Sequence, residues 1–287
     1  MNQHLVSRVL LRRWANHKKG PISCLDLNTL AQHTDRVEEF AAIPDLIPGD
    51  PLAERRWSNT VEKRLPHAFQ LLDAGKLLED DQAVATVKAC IALHWARSFT
   101  LAEMLKTLQP AYADRVADRM LAQVTPTALL DALTGLTIVG PGATELARAH
   151  VRAAFDEHLD QVNFTGAQCS HHFEAAQERV EPFQLEVWQA SEDEFLLADV
   201  PVASCNWTTG AVGPLNGVAW AEADAIFMPL GPRHVVALSK QPRHQAADAS
   251  TVIRLNSLQV KGAYRTIFFR PDTGLGDTIA RALRGQA

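Results

Sequence analysis

The hydrophobic period of this chain changes near Pro182, and that change limits the folds open to it more than any other feature. Before it, apolar residues recur at helical spacing. Val84, Val87, Ile91 and Trp95 run through Asp81 to Phe99, and helical patterns follow at 100–109, 111–123, 126–134 and 143–159. After it the period falls to about two residues, and "PFQLEVWQA", "EFLLADVPVAS", "AIFMPLGP" and "HVVALS" read as short strands punctuated by Pro and Gly. A helix over Ala249–Lys261, closed by Gly262, a strand "RTIFFRP" and a short last helix end the chain. Helices first and strands afterwards do not build repeated βαβ units. The predicted class is α+β: an N-terminal and central helical layer packed on a small, mainly antiparallel C-terminal sheet. One domain, 1–287, is expected, with its helical part at about 1–160 and its sheet at about 180–287, because the first helix and the last strand are both apolar enough to need a shared core.

The opening "MNQHLVSRVLLRRWA" sharpens the question of function. On a helical wheel Leu5, Val6, Val9, Leu10 and Trp14 share one arc, while His4, Arg8 and Arg12 fall one turn apart on the other. An amphipathic helix is predicted, its polar face either solvated or one wall of a site. The basic, acid-free start resembles an organellar leader but lacks a secretory apolar core and cleavage site, so a retained helix is expected. Ile22–Leu27 reads as a strand, and Pro44, Pro48 and Pro51 mark an irregular connection. Asn59 and Glu62 have N-cap and N3 spacing ahead of a stripe of Val61, Leu65, Phe69 and Leu72, a helix that Pro66 should kink.

Composition removes several function classes. A net charge of -5 lacks the basic surplus that phosphate neutralisation needs, so nucleic acid is not a favoured partner. Apolar runs are short and broken by charge, and no membrane span is expected. Cys24, Cys90, Cys169 and Cys205 are scattered without a C-x-x-C pair, which suits reduced thiols in a cytoplasmic protein rather than a zinc ribbon or a disulfide framework. "CSHH" at 169–172 offers three metal donors, but adjacent histidines address one ion only across a turn, and no metal is expected. "GPGAT" lacks the Gly-Lys-Ser/Thr of a phosphate loop, and no cofactor is predicted.

The remaining signal is a set of polar residues at apolar positions. His94 and Arg97 lie one turn apart on a face with Val87 and Cys90, and burial would oblige each to find partners. Asn256 interrupts the inner stripe of its helix, between Val252, Ile253 and Val260, where an amide serves a site or fixes the register of helix on sheet. Asp199 ends a strand and either joins a site or caps local backbone, and Glu62 is either a site carboxylate or part of a capping box.

These landmarks, "HLVSRVLLRRW", "ADVPV", "PLGP" and "RLNSL", occur in an order that resembles the domain-of-unknown-function 4238 family. That family opens with His-x-Val-Pro-x-x-x-Leu-x-x-Phe and carries Asp-x-Pro-Val, Pro-Leu-Ser-Pro and a late Asn. The resemblance implies that His4, Glu62, Arg97, Asp199 and Asn256 match recurring polar positions of the family. Ser7 stands where the family has Pro, and Gly231 where it has Ser. No activity comes with the resemblance.

Two functions fit. In the first, a hydrolase or group-transfer enzyme uses His4 as acid or base, with Glu62 or Asp199 as the carboxylate and Arg8, Arg97 and Asn256 holding an anionic or carbonyl group. In the second, a non-catalytic ligand-binding or regulatory module, for instance in a stress or defence response, uses the cluster to hold a small polar or anionic ligand or to tie its layers together. An open cleft at the cluster favours the first and a sealed cluster the second.

Overall fold

A computed structural model describes residues 2–17, 20–40, 42–44, 55–98, 113–161, 166–213, 218, 220 and 223–285, with only the backbone described for 2–4, 42–44, 155–161 and 166–168. The chain divides into two compact units, 1–101 with 166–287, and 102–165.

Among the described residues the first unit carries a two-stranded ribbon, two larger sheets and their helices. Strand β1 (Asn2–His4) pairs antiparallel with β4 (Ala42–Pro44). This pairing corrects the predicted opening helix: residues 2–4 are extended, and helix α1 is the single turn Arg8–Leu11, followed by a 3-10 turn, Arg12–Trp14. His4 and Arg8 therefore do not share a helix face. The apolar arc is nevertheless used, since Leu5, Val6, Leu10 and Trp14 are all buried, and Trp14 Nε1 donates to the carbonyl of Phe195 at 2.8 Å.

A π-helical turn, Ser58–Glu62, leads to α2 (Leu65–Asp73) and then α3 (Asp81–Ala96). Pro66 begins α2 rather than kinking it, because first-turn amides have no intrahelical acceptor to lose. Asn59 is not a cap either: its side chain accepts from Lys63 Nζ. Asp80 is the true N-cap here, its carboxylate accepting from the Ala83 amide at 2.8 Å. Helix α3 packs on α2 and on a later helix, Gly166–Val180, which carries Cys169, Ser170, His171 and His172.

The larger sheet has the order β10-β5-β9-β8-β7, with β5 (Gln184–Ala190), β7 (Ala203–Cys205), β8 (Ala225–Gly231), β9 (His234–Ser239) and β10 (Arg243–Ala247). All pairs are antiparallel except β10 with β5. The smaller sheet joins both ends of the sequence: β3 (Gln32–Arg36), β2 (Pro21–Asp26), β11 (Thr266–Phe269) and β6 (Leu197–Ala198) lie in that order, all antiparallel. Strand at 22–27 was expected, but its place beside β11 makes the sheet region more than a C-terminal feature. Helix α7 (Ala249–Gly262), capped by Asp248, lays Val252, Leu255 and Leu258 on Phe227, Val235 and Phe195. A last helix, Leu275–Arg284, covers Leu25, Ile267 and Phe269 with Ala280.

The second unit contains a helical stretch at 113–121 and two helices, Pro126–Thr134 and Ala143–Gln161, around Ala117, Leu129, Leu130, Ala143, Ala147 and Val151. Thr125 and Pro126 start the first of these and Gly135, at φ 71°, ends it, as an N-cap and a left-handed C-terminus should. The helical pattern at 100–109 lies outside the described residues.

Candidate functional site

Glu62 and Arg97, predicted as site residues, come together with His94 and with Ser7, which the sequence reading passed over. The turn after α3 aims Arg97 back toward the start of α1. Its Nη2 donates to Glu62 Oε1 at 3.2 Å and to Ser7 Oγ at 3.1 Å, and Ser7 Oγ donates to the same carboxylate oxygen at 2.6 Å. The Ser7 amide donates to His94 Nε2 at 3.1 Å. That bond settles the imidazole tautomer: Nε2 must accept, so Nδ1 carries the proton and donates to the Cys90 carbonyl at 2.9 Å. Both ring nitrogens are committed within protein.

The charges follow from burial. His94 is held well below its ordinary pKa, first by burial and then by the Arg97 cation, so it stays neutral. Burial alone would raise Glu62, but the Arg97 cation and the Ser7 hydroxyl outweigh it, and the carboxyl ends below its usual range. Desolvation pushes the Cys90 thiol far up, which leaves it a packing group without nucleophilic character. Ser7, His94 and Arg97 are 1–2% exposed, whereas the Glu62 side chain keeps 20% of its surface.

The other predicted residues sit elsewhere. Asp199 accepts from the amides of Tyr264, Arg265 and Thr266 at 2.8 to 2.9 Å, fastening the end of β6 to the start of β11. Desolvation outweighs those three bonds and raises its pKa. Asn256 bonds the Leu196 amide and the Glu194 carbonyl, and Gln259, one turn on, bonds the Ala198 amide and the Pro201 carbonyl. Two amides of α7 thus satisfy the irregular backbone around β6 that no strand can reach, which is the structural reading of Asn256. Arg8 is exposed to solvent at the start of α1. The backbone of His4 pairs with Ala42, and its side chain lies outside the described residues.

A second polar group went unpredicted. Arg13 forks onto Asp73, Nη1 to Oδ2 at 2.5 Å and Nη2 to Oδ1 at 2.6 Å, donates from Nε to the Leu230 carbonyl at 3.1 Å and lies over the Phe69 ring at 5.0 Å. A β-carbon at residue 231 would meet the Arg13 guanidinium at 2.8 Å, so a side chain there would have to displace Arg13. His234 lies beside the pair, its buried Nδ1 3.6 Å from Asp73 Oδ1 and without a hydrogen-bond partner among the described residues. The one sequence signal near this group is Gly231, where the resembling family has Ser, and nothing local ties it to Arg13.

Where β5 and β10 end, a cleft of about 540 Å³ opens, lined by Gln189, Ala190, Ser191, Arg233, His244, Gln245 and Ala246. Among the described residues no group of three His, Cys, Asp or Glu side chains could hold a metal ion, and no helix is long and apolar enough to cross a membrane. The four cysteines are buried.

A family model described as "Protein of unknown function (DUF4238)" matches residues 2–273. No curated protein matches the chain, and no solved structure does.

Proposed function

The chain belongs to the DUF4238 family of proteins of unknown function, and from that premise we propose that it is a non-catalytic binding module for a small polar or anionic ligand. The observation that carries this reading is the burial of the cluster that holds Glu62 and Arg97. Ser7, His94 and Arg97 are almost wholly buried, and among the described residues Ser7 bonds His94 and Glu62, and Arg97 bonds Ser7 and Glu62. A general base needs a pKa near the working pH and a free lone pair aimed at substrate. His94 has both nitrogens bonded, and Glu62 is held in its ionised form by Arg97. Such a cluster fixes the N-terminal segment on α3 and is a poor proton carrier, so it weighs against the hydrolase or group-transfer reading. Room for a ligand exists instead at the cleft where β5 and β10 end, whose volume falls in the range of small-molecule sites.

The test is mass spectrometry of small molecules released from the natively purified chain, run beside turnover assays on ester, phosphoester and amide substrates. A stoichiometric released compound without turnover is the expected result. Turnover that Glu62→Gln abolishes would overturn it.

A further inference from the structure

The cleft at the ends of β5 and β10 is lined by an arginine that has no carboxylate partner among the described residues. Arg13, Arg97, Arg243, Arg265 and Arg270 each reach a carboxylate: Asp73, Glu62, Glu186, Asp26 and Glu194. Arg233, in the turn before β9, does not. Its Nη1 donates to the carbonyls of Ser191 at 2.6 Å and Asp193 at 3.4 Å, so neutral backbone oxygens hold the guanidinium in place and leave its charge intact. Nη2 and Nε have no partner among the described residues. Half of a planar donor fork is thus left over on a residue that lines the cleft.

The neighbouring groups reinforce this. Gln189 is paired directly across from His234 on β9 and from Ala246 on β10, so these residues and His244, two positions before Ala246, share one face of the sheet. His244 is exposed and adds a second nitrogen donor at the rim. No acidic residue lines the cleft. Glu186 is on the other face of β5 from Gln189 and is taken by Arg243 at 2.9 Å and by the lining Gln245, Nε2 at 2.5 Å, while Glu192 and Asp193, which follow the lining Ser191, are exposed and make no ion pair with Arg233 among the described residues. Ser191 contributes a hydroxyl to the lining. In a chain of net charge -5, a donor-rich cleft with an unneutralised arginine selects negative ligands.

We propose that this cleft binds a small-molecule oxyanion, a carboxylate or a singly esterified phosphate, with Arg233 as the fork and His244 as the second donor. Guanidinium geometry matches two oxygens of either group. The proposal rests on the reading of the chain as a binding module and gives that reading a ligand class and the residues that hold the ligand.

The experiment is calorimetric titration of the full chain with inorganic phosphate and, separately, succinate at fixed ionic strength, the two arms distinguishing phosphate from carboxylate. Saturable one-site binding of at least one anion is expected, weakened about tenfold or more by Arg233→Gln and severalfold by His244→Ala, with Arg12→Gln, at the remote exposed pair with Glu38, unchanged. Should Arg233→Gln melt early, Arg233→Lys and His244→Ala carry the comparison. No saturable binding of either anion, or binding that Arg233 and His244 variants leave unchanged, overturns the proposal. A released compound that persists in those variants would also overturn this site while leaving the binding-module reading intact. Enzymatic turnover with normal anion binding would do the reverse.

Discussion

Residue 7 offers the most direct test of the buried network, because two substitutions there remove its bonds in steps. Ser7 sits at φ -52° and ψ 129°, a conformation proline adopts without strain. Ser7→Ala removes only the hydroxyl, leaving Glu62 Oε1 with Arg97 alone. A hydrogen bond to a charged group contributes about 1.5–3 kcal/mol, and since the Glu62 side chain is 20% exposed, water replaces part of it. The expected loss is about 1–2 kcal/mol. Ser7→Pro also removes the amide that His94 Nε2 accepts from. A buried acceptor left unsatisfied costs about 1–3 kcal/mol, offset by about 0.4–1 kcal/mol from the stiffer unfolded chain. Proline should therefore destabilise by about 2–4 kcal/mol in total. Urea unfolding at neutral pH reads both values as shifts in midpoint at constant slope. If proline, despite lacking both donors, costs less than alanine, the bonds assigned to Ser7 do not stabilise the fold.

Three further outcomes are expected. His94, His172 and His234 are held below their ordinary pKa, by burial first in each case. The unfolded chain thus binds protons that the folded chain refuses, and stability falls as pH drops below about 6.5, by up to about 1.4 kcal/mol per pH unit for each histidine. Glu62, lowered in the fold, adds a loss of the same sign below its ordinary range, and in acid unfolding followed by circular dichroism His94→Gln should remove one proton's worth of the histidine slope. Gly231→Ser should push Arg13 off Asp73 and Leu230 at a cost of about 1–2 kcal/mol, and the double variant with Arg13→Ala should recover most of the steric part, as a double-mutant cycle would show. Limited proteolysis should give no stable fragment starting near Pro182, because β11 would lose β2 as its neighbour; such a fragment resisting digestion would refute the reading of one domain.

Local pattern alone carried much of the architecture. The helical spacing over Asp81–Phe99 became α3 at Asp81–Ala96, the pattern at 126–134 became a helix with those bounds, and the alternating segments after Pro182 became β5, β8 and β9. Such periods register a buried face wherever it forms, so they need no knowledge of the partner. The same logic singled out His94 and Arg97, since polar residues in apolar stripes demand partners, while Glu62 stood out through the family resemblance. It could not say which partners. Ser7 meets His94 across 87 positions and Arg13 meets Leu230 across 217, while residues 2–4 left their predicted helix to pair with 42–44. Asp199 and Asn256 had both a site reading and a backbone-satisfying one, and the choice lay with the unpaired amides of segments 65 and 60 residues away. Helices and strands are written in neighbours along the chain; hydrogen-bond partners, tautomers and unneutralised charge are written in neighbours across space, and only the packed fold brings those together.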